Sequence, residues 1–148
     1  MFNPNPIPLI TSTKACIKAI QEIMAFPVVA VDCEGVSLSK EGKLCLVCYF
    51  IIVNVHFVSL LIVIIVVCCA QIQIATPKKV YLFDVLKGGD RLFFDRGLRY
   101  LLESTKIIKV MHDCRKDSEA LYFQYDVTLR GVWDSQIAYT VLSQLKGM

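Results

Sequence analysis

Val28-Val29-Ala30-Val31-Asp32-Cys33-Glu34-Gly35 is the stretch that decides the fold. Four apolar residues in unbroken succession read as a strand buried on both faces. Asp32 and Glu34 follow at i and i+2, so both carboxylates point to one face of the strand end. Two like charges there are costly unless a cation neutralises them. Hard divalent cations take oxygen ligands, and a pair of them clamps a phosphodiester during in-line attack. A bare D-x-E is common by chance and also fits a solvated strand end followed by a turn glycine. The apolar run before it, and a further acid able to reach it, give the pair its weight.

That further acid lies in Lys109-Val110-Met111-His112-Asp113-Cys114-Arg115-Lys116-Asp117-Ser118-Glu119-Ala120-Leu121. A strand ends at Met111 or His112, and Asp117 opens the next helix. With this strand beside the first, Asp117 faces the Asp32/Glu34 end. Asp113 is a weaker candidate for the same place, since Asp113 and Arg115 also read as a polar turn with local hydrogen bonds. His112 reads as a strand-end histidine with a local partner rather than a ligand.

Outward from these two stretches the pattern is α/β. Residues 1–11 form an irregular Pro/Asn arm. Ser12 or Thr13 caps a helix reaching about Ala25, with Ile17, Ile20 and Met24 on one face, and Pro27 ends it. Lys43–Leu46 starts a second strand, Ile72–Ala75 reads as strand again, and Val80–Phe83 is a third, ending in Asp84. Gly88-Gly89 makes a turn, and Leu92–Leu102 shows helical spacing. A helix runs from about Arg115 to Tyr125. Val132-Trp133-Asp134 is extended, with Trp133 read as core, and Asp134 or Ser135 caps a last helix. No linker interrupts this order, so residues 12–148 form one domain in which later strands alternate with helices.

The chain has 148 residues, a formal net charge of +3 and 55% apolar residues. That excludes disorder, a collagen-like fibre and low complexity. The charge alone is too mild to prove a nucleic-acid partner, although basic residues recur from Lys78 onward. Seven cysteines, an odd count, with no secretory signal at the start, imply a reducing intracellular compartment, cytoplasm or nucleus. Cys45-x-x-Cys48 lacks the second pair that a zinc site needs.

Taken together, VVAVDCEG, then LCL and IQIATPKKVYLFDV, then KVMHDCRKDSEALYFQYDVTLRGVWDSQIAY resemble the 3′–5′ exonuclease domain of the DEDD superfamily. The sequence is similar to the RNase D and Werner types, and its HDCR run places it nearest the Egalitarian-like branch. The resemblance covers roughly residues 12–46 and 72–142. It implies an RNase H-like fold, three antiparallel strands followed by parallel strands with helices, incomplete at the C-terminus. It also implies hydrolysis of RNA or single-stranded DNA from the 3′ end with two Mg²⁺ or Mn²⁺ ions. In that scheme Asp32 contacts both metals, Glu34 contacts one metal and the side of the terminal nucleotide, and Asp117 supplies the second-motif acid. The family's last motif, a Tyr or His followed by x-x-x-Asp, has no counterpart here: Tyr139 is followed at the fourth position by Ser143. The fourth carboxylate and the general base are missing, so the resemblance implies impaired turnover. A catalytically inactive RNA-binding or adaptor module of the same fold is the alternative.

Residues 47–71 stand apart, with 21 apolar letters in 25, and no Asp, Glu, Lys or Arg occurs from Leu44 to Pro77. The stretch is long enough for a membrane-spanning helix, which would make this a single-pass membrane protein. Joining Leu46 directly to Ile72 instead restores an uninterrupted strand. Val47-Cys48 and Gln71 are encodable by intron-border triplets, so the block also reads as a translated intron.

Overall fold

A computed structural model describes residues 7, 9–34, 71–94 and 96–147. The elements in chain order are β1 (Leu9–Ile10), α1 (Thr13–Ile23), β2 (Val28–Glu34), β3 (Gln71–Ala75), β4 (Val80–Asp84), α2 (Val85–Gly88), α3 (Leu98–Leu102), β5 (Ile108–Met111), α4 (Arg115–Tyr125), β6 (Val132–Asp134) and α5 (Ser135–Lys146). A 3-10 turn over Gly89–Leu92 follows α2. The six strands form one sheet in the order β1-β4-β3-β2-β5-β6. β2, β3 and β4 make an antiparallel meander, while β1 joins β4, β5 joins β2 and β6 joins β5 in parallel. This is the expected order of antiparallel strands followed by parallel strands with helices. The expected strand at 43–46 and the apolar block lie outside the described residues, except Gln71, which opens β3. Among the described residues no helix is long and apolar enough to cross a membrane.

The local reasons are ordinary chemistry. Ser12 caps α1, its Oγ accepting from Ala15 N at 3.3 Å. Cys16, Ala19, Ile20 and Ile23 form the buried stripe of that helix at i, i+3, i+4 and i+7. The stripe is rotated from the expected Ile17/Ile20/Met24, because Cys16 seats its thiol against Leu92 O at 3.3 Å. On β2, Val29, Val31 and Cys33 enter the core, while Ala30, Asp32 and Glu34 share the half-buried opposite face. Pro27 O accepts from Ile108 N at 2.9 Å and starts the β2–β5 pairing.

Three expectations need correction. Leu9–Ile10, placed in an irregular arm, pair with Leu82 and Phe83 as a short edge strand. The helix expected over 92–102 is broken: Leu92 ends the 3-10 turn and α3 begins only at Leu98. At Gly97 a Cβ would stand 2.2 Å from Leu92 O, so two backbone segments meet where a continuous helix would keep them apart. Trp133 is not core but 51% exposed. It lies on the edge strand β6, on the face opposite that of its half-buried neighbours Val132 and Asp134.

Lys109, inside β5, is fully buried. Its Nζ donates to Leu101 O at 3.3 Å, to Ile107 O at 3.0 Å and to Ser104 O, closing the end of α3 against the sheet. Burial brings its ammonium down to about 8. Gly131, at φ +61°, lets the chain pass: a Cβ there would lie 2.9 Å from Ile107 O and 3.3 Å from Lys109 Nζ.

Candidate active site

β2 carries Asp32 and Glu34 to one end of the sheet on one face. β5 runs parallel beside β2, with Val28 to Ala30 opposite Ile108 to Val110, so the chain leaves β5 at that same end. It turns through His112 to Cys114 and enters α4, whose first turn holds Asp117. The sequence-predicted convergence of Asp117 on the acid pair is therefore what the strand order produces.

The electrostatics record how close the three acids are. Asp117 is 9% exposed, and burial, followed by the charges of Asp32, Asp113 and Asp134, carries its carboxyl up to about 7. Asp32 is also pushed above its usual range, mainly by burial, against the lowering effect of its hydrogen bonds with Glu34 and with the Cys33 backbone and of His112. Burial drives the Cys33 thiol well up, and the charges of Asp117, Asp32 and Glu34 all add to that, so the three fields meet at this side chain.

Asp113 is turned to a different task. It holds φ +48°, and its carboxylate takes Arg115 in a two-pronged pair, Nε to Oδ1 at 2.7 Å and Nη2 to Oδ2 at 3.2 Å. That guanidinium keeps its carboxyl below the usual range. His112 is exposed, with Nδ1 2.9 Å from Ser135 Oγ. Ser135 spends its hydroxyl proton on Met111 O at 3.2 Å, so its oxygen accepts from the imidazole.

Asp134 does more than cap a helix. Its Oδ1 accepts from Gln136 N at 2.8 Å, at the start of α5, and from Asp113 N at 3.0 Å. Its Oδ2 accepts from Cys114 N at 3.0 Å. Desolvation works against its charge but is outweighed by these N–H donors of Cys114, Gln136 and Asp113, and the carboxyl falls to about 2. One side chain thereby ties the turn that delivers Asp117 to the first turn of α5.

Gln73 escaped the sequence reading. It sits directly opposite Asp32 on β3, is 6% exposed, and its Nε2 has no hydrogen-bond partner among the described residues. Gln71 faces Glu34 in the same way. The signal was present in Gln71-Ile72-Gln73-Ile74, where two amides alternate with two isoleucines on a strand buried on both faces.

Oxygen donors held together at a strand end, Asp117 buried and Asp32 and Glu34 half-buried, suit a hard divalent cation. Among the described residues no group of three or more His, Cys, Asp and Glu side chains is placed so that it could hold a metal ion. Mg²⁺ does not need one, since it keeps several waters and binds through one or two carboxylates plus substrate phosphate. Asp32, Glu34 and Asp117 are the carboxylates that could serve in that way.

The 3′–5′ exonuclease family matches residues 65–147, a stretch that includes Asp117 and Asp134, with Asp32 and Glu34 preceding it. The piRNA biogenesis protein EXD1 of Mus musculus is 34% identical over 120 residues, 81% of this chain and 16% of that protein. The Egalitarian protein homolog of Caenorhabditis elegans is 37% identical over 73 residues, 49% of this chain and 12% of that protein. RNase D of Trypanosoma brucei superposes with a TM-score of 0.65 at 25% identity, over 94% of this chain and 41% of that one. The chain thus spans less than a fifth of the length of these two curated relatives. With more than half of its residues matched by the family and its sheet superposing on that of RNase D, the chain belongs to the 3′–5′ exonuclease domain family.

Proposed function

We propose that this chain carries a metal-dependent 3′–5′ exonuclease site acting on nucleic acid. The observation that carries the reading is the pair Asp32 and Asp117, both raised by burial and, for Asp117, by its neighbour's charge. Such a pair is unfavourable in a merely structural role and favourable around a divalent cation. Two Mg²⁺ or Mn²⁺ ions, when bound, supply the charge that clamps the phosphodiester and activates the attacking water. Asp32, Glu34 and Asp117 hold them, and Asp134 keeps the Asp117 turn in place. Trypanosoma brucei RNase D has been seen with RNA U12 and with GMP, and the EXD2 exonuclease domain has been soaked in Mg, which supports a nucleic-acid substrate and a divalent metal.

The test is 3′ shortening of 5′-labelled RNA and DNA oligonucleotides with and without Mg²⁺ or Mn²⁺. Metal-dependent shortening that Asp32→Asn abolishes supports the reading. Oligonucleotide binding with no shortening under either metal would replace it with the inactive adaptor module.

A further inference from the structure

We infer that Gln73 is a positioning residue for the acid site, the hydrogen-bond donor that orients the Asp32 carboxylate when it holds a divalent cation. The inference rests on the metal-dependent reading above. β2 and β3 are antiparallel with Asp32 and Gln73 in register, so the two side chains rise from the same face. Directly opposed residues stand with Cβ atoms about 4.5–5.5 Å apart, within reach of a glutamine amide. On its other flank Gln73 has Leu82 of β4, which offers no acceptor in its side chain. Burying an amide N–H without a partner is costly, and such groups in folded proteins need a reason. Here Nε2 has no partner among the described residues, while Asp32 hydrogen-bonds Glu34 and the Cys33 backbone.

A carboxylate that ligates a metal is itself held by an outer hydrogen bond that fixes its orientation. An amide suits that role on this face. It donates without carrying charge, so it neither titrates nor competes with the cation, as a lysine or arginine in the same position would. Its backbone is held in register on both flanks, to Asp32 and to Leu82.

The test uses the full chain. Mn²⁺ binding is measured by calorimetry for wild type, Gln73→Met and Asp32→Asn, together with metal-free Tm. Methionine keeps the length and removes the unpartnered amide, so the metal-free Tm is expected to hold or rise. The Mn²⁺ Kd is expected to weaken roughly 10- to 100-fold, and Asp32→Asn to abolish binding. As a second measurement needing no variant, the Gln73 side-chain NH₂ signals in ¹⁵N spectra are expected to move on saturation with Mg²⁺. Wild-type Mn²⁺ affinity in Gln73→Met, or unmoved Gln73 signals while wild type binds metal, refutes the role of Gln73 alone. Absence of Mn²⁺ binding by wild type refutes the metal-dependent reading, and this inference with it.

Discussion

Replacing Asp117 by Asn should make the metal-free protein more stable at neutral pH and no more stable in acid. In the unfolded chain an aspartate ionises near 3.8, whereas folded Asp117 holds its proton up to about 7. Below pH 4 the group is protonated in both states and costs nothing. As pH rises from 4 to 7 the unfolded chain ionises first, so each step favours unfolding, and above 7 the penalty is complete. With 1.36 kcal/mol for each pH unit of displacement, the penalty is about 1 kcal/mol at pH 4.5 and about 4 kcal/mol at pH 7.5. Asp32, also raised by burial, adds a loss of the same sign that Asp117→Asn leaves in place, whereas Asp113 and Asp134, whose carboxyls lie below the usual range, are ionised in both states across this window. Urea unfolding in EDTA at the two pH values measures the difference. The wild type should lose roughly 3 kcal/mol more between them than Asp117→Asn does. Adding Mn²⁺ should raise the wild-type Tm at pH 7.5 and leave that of Asp117→Asn nearly unmoved. A flat wild-type profile, or a variant that is less stable than wild type at pH 7.5, would refute the picture of a buried, repelled carboxylate.

Other substitutions separate structure from site. Lys109→Met removes the donor shared by Leu101, Ser104 and Ile107 carbonyls and should cost about 2–3 kcal/mol in urea unfolding. Asp134→Ala removes the acceptor for three backbone N–H groups. It should cost about 1 kcal/mol, the usual loss for an N-cap, and speed hydrogen exchange at the Asp113 and Cys114 amides. Asp113→Asn, which keeps a residue tolerant of φ +48°, removes only the charge of an exposed pair with Arg115. Tm and Mn²⁺ affinity should both stay at wild-type values, and a loss of affinity would make Asp113 a ligand.

The parts of the molecule written in local pattern were legible. An unbroken apolar run followed by D-x-E gives β2 and its acids. The stretch from Arg115 to Tyr125 carries a complete helix, stopped where Asp126 takes a left-handed conformation. What escaped depends on partners distant in the chain. Nothing near Gly97 says that its backbone will lie against Leu92, so helical spacing over 92–102 suggests one helix where the fold makes two pieces. Trp133 looks like core until the strand order places β6 at the sheet edge. Gln73 acquires meaning only from its register with Asp32, a pairing that the intervening apolar block hides from a linear reading.

The parallel pairing of β2 with β5 has a kinetic consequence. It joins Asp32 to Asp117 across 85 residues, and parallel neighbours cannot be made by a tight turn. Closing so long a loop comes late in folding, because its entropy is lost before its contacts are gained. The acids therefore meet only when the sheet is nearly assembled, and a cation has no preformed site on the unfolded chain. Metal should accordingly slow unfolding and leave the refolding rate almost untouched, locking the finished domain without guiding its assembly.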